Sequence, residues 1–469
     1  MNNVFKRIEF WIFVLFLVRL IGITNPPLDI GQNWRQITGL MVSRNFVEVD
    51  DNILYPRIDD NQGKTGIIGM EFPSMNYLYF GIAKLFGYTH WYGRLINLVV
   101  SSLGLLFFYK LILLAGFKDK VAFASTLFLG ASIWFMYSRK MMPDTYCISI
   151  MFIGLFYGLK YMTINRFYQL LLFAVLCALA VLSKIPAGIY FILLIPYMLN
   201  KRIASKQRIM LTLATIPTLV LTYLWYFKWN YMLSSKYGNW YNSGKSIHAG
   251  FLEIAGHLDK VFENFFINSF LSYTTLAVFA AGFVMMFVKQ EKKLIVIFTL
   301  MLFIFLLYIF KSGFFFYHHS YYIIPFVPVM ALVAGYGISL LRSKWLYSIV
   351  LTAGVVEGIA NQQHDLFVKP TEQYKMSIEQ IMDKVSSKED LIVMNSNGNP
   401  QLIYLAHRKG WNCTNEQLYD SVFLNTIIAQ GCRFIVIDKH VAPNLKSSVL
   451  SSNQVFENPD FLIFKTDKK

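Results

Sequence analysis

About eleven apolar runs, most close to the roughly 20 residues a helix needs to cross a bilayer, divide this chain into spans and links. They lie near residues 8–24, 94–115, 121–138, 144–161, 167–183, 186–200, 209–228, 269–288, 294–310, 321–341 and 345–361. A soluble chain of 469 residues could not carry them. Its charged residues are 15% of the total and its mean hydropathy is +0.45, too apolar for a surface that faces water on every side. The run from Phe10 to Ile23 follows Lys6 and Arg7 and has the outline of a signal peptide. Asn25-Pro26-Pro27 follows it instead of a small-residue cleavage site, so it reads as a retained first span.

The links alternate in character. One set is short and basic: Lys6/Arg7, Lys118/Lys120, Lys160/Arg166, the group from Lys201 to Arg208, Lys289/Lys292/Lys293 and Arg342/Lys344. By the positive-inside rule these links face the cytoplasm. A net charge of +16 would point to nucleic acid in a soluble protein, but here it reports orientation. The opposite set holds the longer loops, 25–93, 139–143, 183–185, 228–268 and 311–320. An odd span count puts the C-terminal tail on that same outer side.

The tail changes composition. Leu391 to Met394 and Arg433 to Ile437 read as short buried strands, and Met376–Val385 and Asn415–Ala429 read as amphipathic helices. Strands alternating with helices imply a small α/β domain. The expected organisation is therefore a transmembrane domain over residues 1–361 and an extracytoplasmic α/β domain over 362–469. Cys147 and Cys177 lie within apolar runs and read as packing residues, whereas Cys413 and Cys432 could pair in an oxidising compartment.

Residues with chemical potential sit in the outer loops. Asp29 follows the first span, with Trp34 and Arg35 close behind. Residues 36–47 form an amphipathic stretch with Ile37, Leu40, Met41 and Phe46 on one side, fit to lie in the membrane interface. The loop returns through Glu71-Phe72-Pro73 into a second amphipathic stretch, Met75 to Phe86. The next outer link, Arg139-Lys140-Met141-Met142-Pro143-Asp144, places two cations and a carboxylate at a helix junction. A helix cap with snorkelling cations explains it blandly; a phosphate held by Arg139 and Lys140 explains it functionally. His318, His319 and Tyr321 could line a pocket or simply form an aromatic belt, and adjacent histidines are a weak metal signal. Together, an outer carboxylate acting as base and interfacial cations fit transfer from a lipid-phosphate donor to a hydroxyl.

At these residues the chain resembles the integral-membrane glycosyltransferases of the GT-C fold. It is most similar to the bacterial family related to protein O-mannosyltransferases and to the aminoarabinose transferase of lipid A. The resemblance rests on the Asp29 loop, Trp34-Arg35-Gln36, Glu71-Phe72-Pro73, Arg139 to Asp144, Tyr321-Tyr322 with Pro325 and Pro328, and the tail segments Asn399-Pro400 and Arg408 to Trp411. It implies an all-α polytopic membrane protein with juxtamembrane helices in its first outer loop and a small C-terminal α/β domain. It also implies a polyprenyl-phosphate sugar donor, with Asp29, Glu71 and Asp144 as catalytic carboxylates. Arg35, Arg139 and Lys140 would bind the donor phosphate, with Trp34, His318, His319 and Tyr321 around the pocket. Glu71 and Asp144 would be the ligands of any divalent metal ion. Two departures stand out: Ile30 follows Asp29 where relatives carry a second acid, and Phe72 follows Glu71 where the aminoarabinose enzyme has lysine.

The expected activity is inverting transfer to a hydroxyl of a cell-envelope glycan, lipid or protein, at the outer face of a bacterial cytoplasmic membrane. Two rival classes remain. A lipid-linked sugar flippase would place charges at mid-membrane depth, where only Lys184 and Glu357 come close to qualifying. A non-catalytic assembly partner would work through its tail.

Overall fold

The computed structural model describes residues 6–28, 31–237, 244–442 and 453–466. The chain forms two compact units. The first comprises Met1–Ile23, Arg94–Trp229 and Asn242–Leu366, and the second Thr24–Gly93, Asn230–Tyr241 and Phe367–Lys469.

The first unit is helical. Among the described residues, four helices are long and apolar enough to cross a membrane: Tyr92–Leu114, Pro143–Ile164, Ser205–Tyr237 and Lys292–Ser312. A fifth candidate is the pair Leu258–Phe270 and Tyr273–Val288, bent by 105°. Other apolar runs form shorter helices, such as Phe167–Ser183 and Val327–Ser339. The expected eleven spans are apolar runs, and proline interrupts several of them. Thus Pro186 opens the 3₁₀ segment Ile185–Leu194 beyond the helix that ends at Ser183. Close packing uses small residues: a Cβ on Gly282 would collide with the Val333 carbonyl, so helices Tyr273–Val288 and Val327–Ser339 can meet backbone to backbone.

The charge of Glu357, one of the two near-membrane exceptions in the sequence, has a local explanation. Its carboxylate accepts from the backbone N–H groups of Tyr273 (2.9 Å) and Thr274 (3.0 Å) and from the Ser272 hydroxyl (2.8 Å). It caps the helix that starts after the sharp bend.

The second unit joins the first long loop to the tail. Its five-stranded sheet has β1 (Leu391–Asn395), β2 (Lys409–Cys413), β3 (Cys432–Asp438), β4 (Asn453–Glu457) and β5 (Phe461–Lys465), in the order β2-β1-β3-β5-β4. The first three strands are parallel and β5 runs antiparallel to β3 and β4. The helical expectations 376–385 and 415–429 appear as Ile378–Val385 and as Asn415–Tyr419 followed by Ser421–Ala429, broken at Asp420. All four cysteines are free and buried, Cys413 and Cys432 included. Burial pushes both of these thiols up to about 12.

The loop covers the open side of β2. Gln62 donates its backbone N–H to the Gly410 carbonyl (2.8 Å), and the Gly410 N–H donates to the Asp59 carbonyl (3.1 Å). Gly410 has φ +147°, and a Cβ there would strike the Ile392 carbonyl on β1. Below this edge the Arg44 guanidinium donates to Asp59 (2.5 Å) and to the Tyr404 carbonyl (2.9 Å), and lies 4.2 Å from the Tyr404 ring centroid. Asn45 donates to the other Asp59 oxygen at 2.8 Å. Burial works against the Arg44 charge, but Asp59, Tyr404, Tyr88 and Glu48 together outweigh it and hold the guanidinium protonated.

The stretch 36–47 is a helix, within Asn33–Glu48, but its apolar side does not lie open to lipid. Ile37, Leu40, Met41 and Phe46 are all buried. Val42 and Phe46 cluster with Ile68, Met70 and Phe80, because the returning helix Ser74–Phe86 packs on the first. Replacing Arg44 by Met would leave the Asp59 carboxylate buried without its cation. That change should destabilise the second unit by about 3–5 kcal/mol. Limited proteolysis of the purified protein should then release the tail fragment at lower temperature than in the wild type.

Candidate active site

In the first unit the expected cations and carboxylate are assembled by one tight turn. Asn97 lies on the helix Tyr92–Leu114, and its side-chain amide sits within hydrogen-bond distance of the carbonyls of Tyr137 (3.0 Å), Lys140 (2.8 Å) and Met142 (3.1 Å). It thereby fixes the path from residue 137 to 142. Pro143 then occupies the first turn of the helix Pro143–Ile164, where its missing N–H costs nothing, and Asp144 follows at the positive end of the helix dipole.

Arg139 and Lys140 point into protein. The Arg139 guanidinium donates to three backbone carbonyls, those of Arg19 (3.1 Å), Ile21 (2.6 Å) and Asp365 (2.7 Å). The Lys140 ammonium pairs with the Asp365 carboxylate at 2.7 Å, with side-chain exposures of 1% and 3%. These contacts make a buried clamp between the end of the first helix, the 137–142 turn and the segment after residue 360.

Asp144 has a different partner. Its Oδ1 meets the Lys184 ammonium at 2.5 Å, and among the described residues its buried Oδ2 takes no hydrogen bond. Lys184 sits where the helix Phe167–Ser183 stops and the 3₁₀ segment begins. Its ammonium also lies 4.9 Å from the Tyr321 ring centroid and 5.9 Å from that of Tyr322. Tyr137 closes one side, its ring 5.8 Å from that of Tyr321 and its hydroxyl 3.1 Å from the Ser320 Oγ. His319 stacks on Tyr321 at 5.4 Å, and His318 stacks on Phe314 at 4.7 Å. Burial, then His318 and then Lys184, push the His319 imidazole down to about 4. It is therefore neutral near pH 7, a hydrogen-bonding ring and no cation.

In the second unit, Arg35 and Glu71 form an ion pair, each largely buried. Trp34, on the same helix, is 65% exposed. Asp29, the expected base, lies outside the described residues. Lys184 is the residue that sequence reasoning set aside. The signal that could have found it is a lysine two residues before a proline at a span end.

The carboxylates expected to hold a metal ion are each engaged by a cation. Glu71 is ion-paired with Arg35 and Asp144 with Lys184, and among the described residues no three His, Cys, Asp or Glu side chains converge. A hard divalent ion wants about six oxygen donors, and the described residues do not offer them.

A helical membrane unit, a sheet-bearing second unit and charged pairs at helix junctions define a polytopic protein of the GT-C fold. Residues 71–226, about a third of the chain, match the family described as dolichyl-phosphate-mannose-protein mannosyltransferase. The structure is similar to that of ArnT from Cupriavidus metallidurans in the apo state, with TM-score 0.63, 13% identity and 97% of each chain covered. The same protein bound to undecaprenyl phosphate gives TM-score 0.61 at 12% identity, covering 97% of this chain and 98% of that one. The Archaeoglobus fulgidus oligosaccharyltransferase in complex with zinc and sulfate gives 0.59 at 12% identity, covering 91% of this chain and 67% of that one. No curated protein matches the chain in sequence. The resemblance stated from the sequence thus holds for the fold.

Two outcomes follow from the geometry. Lys140→Met alone should cost about 3–5 kcal/mol by stranding the Asp365 carboxylate, while the double change Lys140→Met with Asp365→Leu should recover most of it. Thermal unfolding of the three proteins in one detergent measures the difference. For His319, the folded pKa lies below the unfolded 6.5, so the unfolded chain binds more protons between pH 6.5 and about 4. Stability should fall across that window as pH drops, and His319→Gln should flatten the pH dependence of Tm there.

Proposed function

We propose that this chain is a glycosyltransferase that takes a sugar from a polyprenyl-phosphate donor and passes it, with inversion, to a hydroxyl of a cell-envelope glycan, lipid or protein. It works at the outer face of a bacterial cytoplasmic membrane, the side opposite the basic links. The observation that carries this reading is the Lys184–Asp144 pair beside Tyr321, a partly accessible ammonium where the helix Phe167–Ser183 gives way to a 3₁₀ segment. The family match over residues 71–226 and the fold shared with a protein that binds undecaprenyl phosphate support the same donor class.

The chemistry is a single displacement. Asp29 takes the proton of the acceptor hydroxyl, whose oxygen attacks the anomeric carbon. The bond from that carbon to the phosphate oxygen breaks, and its electron pair leaves with the polyprenyl phosphate. The departing phosphate gains one negative charge, which Lys184 neutralises. Asp144 orients the Lys184 ammonium, and Tyr321 supplies an aromatic face beside it. Arg35, held by Glu71, is the second cation assigned to phosphate. Arg139 and Lys140 act at one remove: their clamp fixes the turn that carries Asp144.

Transfer in isolated membranes from a labelled polyprenyl-phosphate sugar, with protein level checked by immunoblot, tests these roles. Asp29→Asn should lower transfer at least about 100-fold. Lys184→Ala should lower kcat about 100- to 1,000-fold, with Lys184→Arg retaining more. Full transfer by Asp29→Asn would remove the base. Mass spectrometry of envelope glycans from a deletion strain should show one missing sugar, and an unchanged glycan profile would sink the assignment.

A further inference from the structure

The first unit contains a second feature, independent of the glycosyl-transfer reading. It is an apolar cavity of about 520 Å³, walled by Phe108, Leu111, Phe152, Leu155 and Leu332 among others, and bordered by Lys292, Lys293 and Asn200. A volume of that size suits a single small hydrophobic ligand. The three polar residues all lie at helix ends that belong to the short basic links. By the charge rule that end faces the cytoplasmic leaflet.

The two lysines differ in their freedom. The Lys293 ammonium donates to the Ala115 carbonyl at 2.7 Å and lies 5.3 Å from the Phe117 ring centroid, which leaves it two further N–H donors. Gly116, at φ +81°, permits that approach, since a Cβ there would stand 2.9 Å from the ammonium nitrogen. Lys292 is exposed beside it, in the first turn of the helix Lys292–Ser312. The opposing charge is the exposed Glu291 carboxylate, next in sequence. Both charged residues that line the cavity are cations, and the rest of its wall is aliphatic and aromatic apart from Asn200.

We propose that this cavity seats one acyl chain of an anionic phospholipid from the cytoplasmic leaflet, with the lipid phosphate between Lys292 and Lys293. Charge at the rim and an apolar interior fit an amphiphile with an anionic head, and a basic pocket between spans on the cytoplasmic side is the setting in which such heads bind. A water-soluble anion would use the lysines but leave the cavity unfilled. A zwitterionic lipid would fill the cavity but offer the rim no net charge.

The test uses the purified full chain in a non-ionic detergent. Tm is measured against rising dioleoyl phosphatidylglycerol, dioleoyl phosphatidylcholine or glycerol 1-phosphate. Only phosphatidylglycerol should raise Tm saturably. The double variant Lys292→Gln with Lys293→Gln should shift its half-saturation upward roughly 20-fold. Leu111→Trp, which fills the cavity, should abolish the response. Equal stabilisation by phosphatidylcholine would make the lipid merely annular, and an equal effect of glycerol 1-phosphate would leave no role for the chain. Both overturn the proposal, and so does displacement of phosphatidylglycerol by undecaprenyl phosphate, which would give the cavity to the donor. Should Leu111→Trp fail to fold, native mass spectrometry of the wild type decides: retained phosphatidylglycerol in preference to phosphatidylcholine supports the site, and indiscriminate loss refutes it.

Discussion

The Arg139 guanidinium organises the helical unit. It reaches carbonyls of Arg19 and Ile21 at the end of the first helix and of Asp365 near the unit's last segment, so it ties together residues more than a hundred and more than two hundred positions apart. Helix ends leave carbonyls without partners, and a bilayer offers no water to satisfy them. A planar fork of donors is well suited to that task, and lysine could not replace it. Lys140 adds a charge pair to the same segment through Asp365. With that clamp in place, Asn97 can hold the 137–142 turn and Asp144 can enter its helix at a defined point.

Charge pairing recurs at four buried or largely buried sites. Asp365 answers Lys140, Asp144 answers Lys184, Glu71 answers Arg35 and Asp59 answers Arg44. Isolated, each would carry a large desolvation penalty; paired, each becomes a fixed electrostatic element. They differ in access. The Lys140 and Arg44 pairs are sealed, with side-chain exposures of 5% or less, whereas Lys184 retains 13% and Arg35 15%.

How much of this could be read from the sequence depended on the range of the interaction. Apolar runs and β-branched strands are local, so the membrane character and strands β1 and β3 were legible. Strand β2, Lys-Gly-Trp-Asn-Cys, carries no such pattern and exists because its neighbour β1 and the covering loop supply its hydrogen bonds. The apolar side of helix Asn33–Glu48 was visible, but not that helix Ser74–Phe86 would bury part of it. The cations were visible too, but not their partners. Asp365 lies 225 residues from Lys140, and Asp144 lies 40 from Lys184, so the sequence could not say which lysine was sealed and which was accessible.

The loop that covers β2 has a consequence for how the protein is made. Arg44 and Tyr404 are 360 residues apart, so at ordinary synthesis rates of about 5–20 residues per second the loop emerges roughly 20–70 s before its partner segment exists. Throughout that interval Arg44 lacks the Tyr404 carbonyl, and the backbone of Asp59 and Gln62 lacks the Gly410 partner that completes the unit. The second unit therefore closes last, after every helix of the first has been synthesised. Until then the loop is a stretch of unfinished structure that depends on the cell's quality-control machinery, and any ribosome that stops short of residue 410 leaves it so permanently.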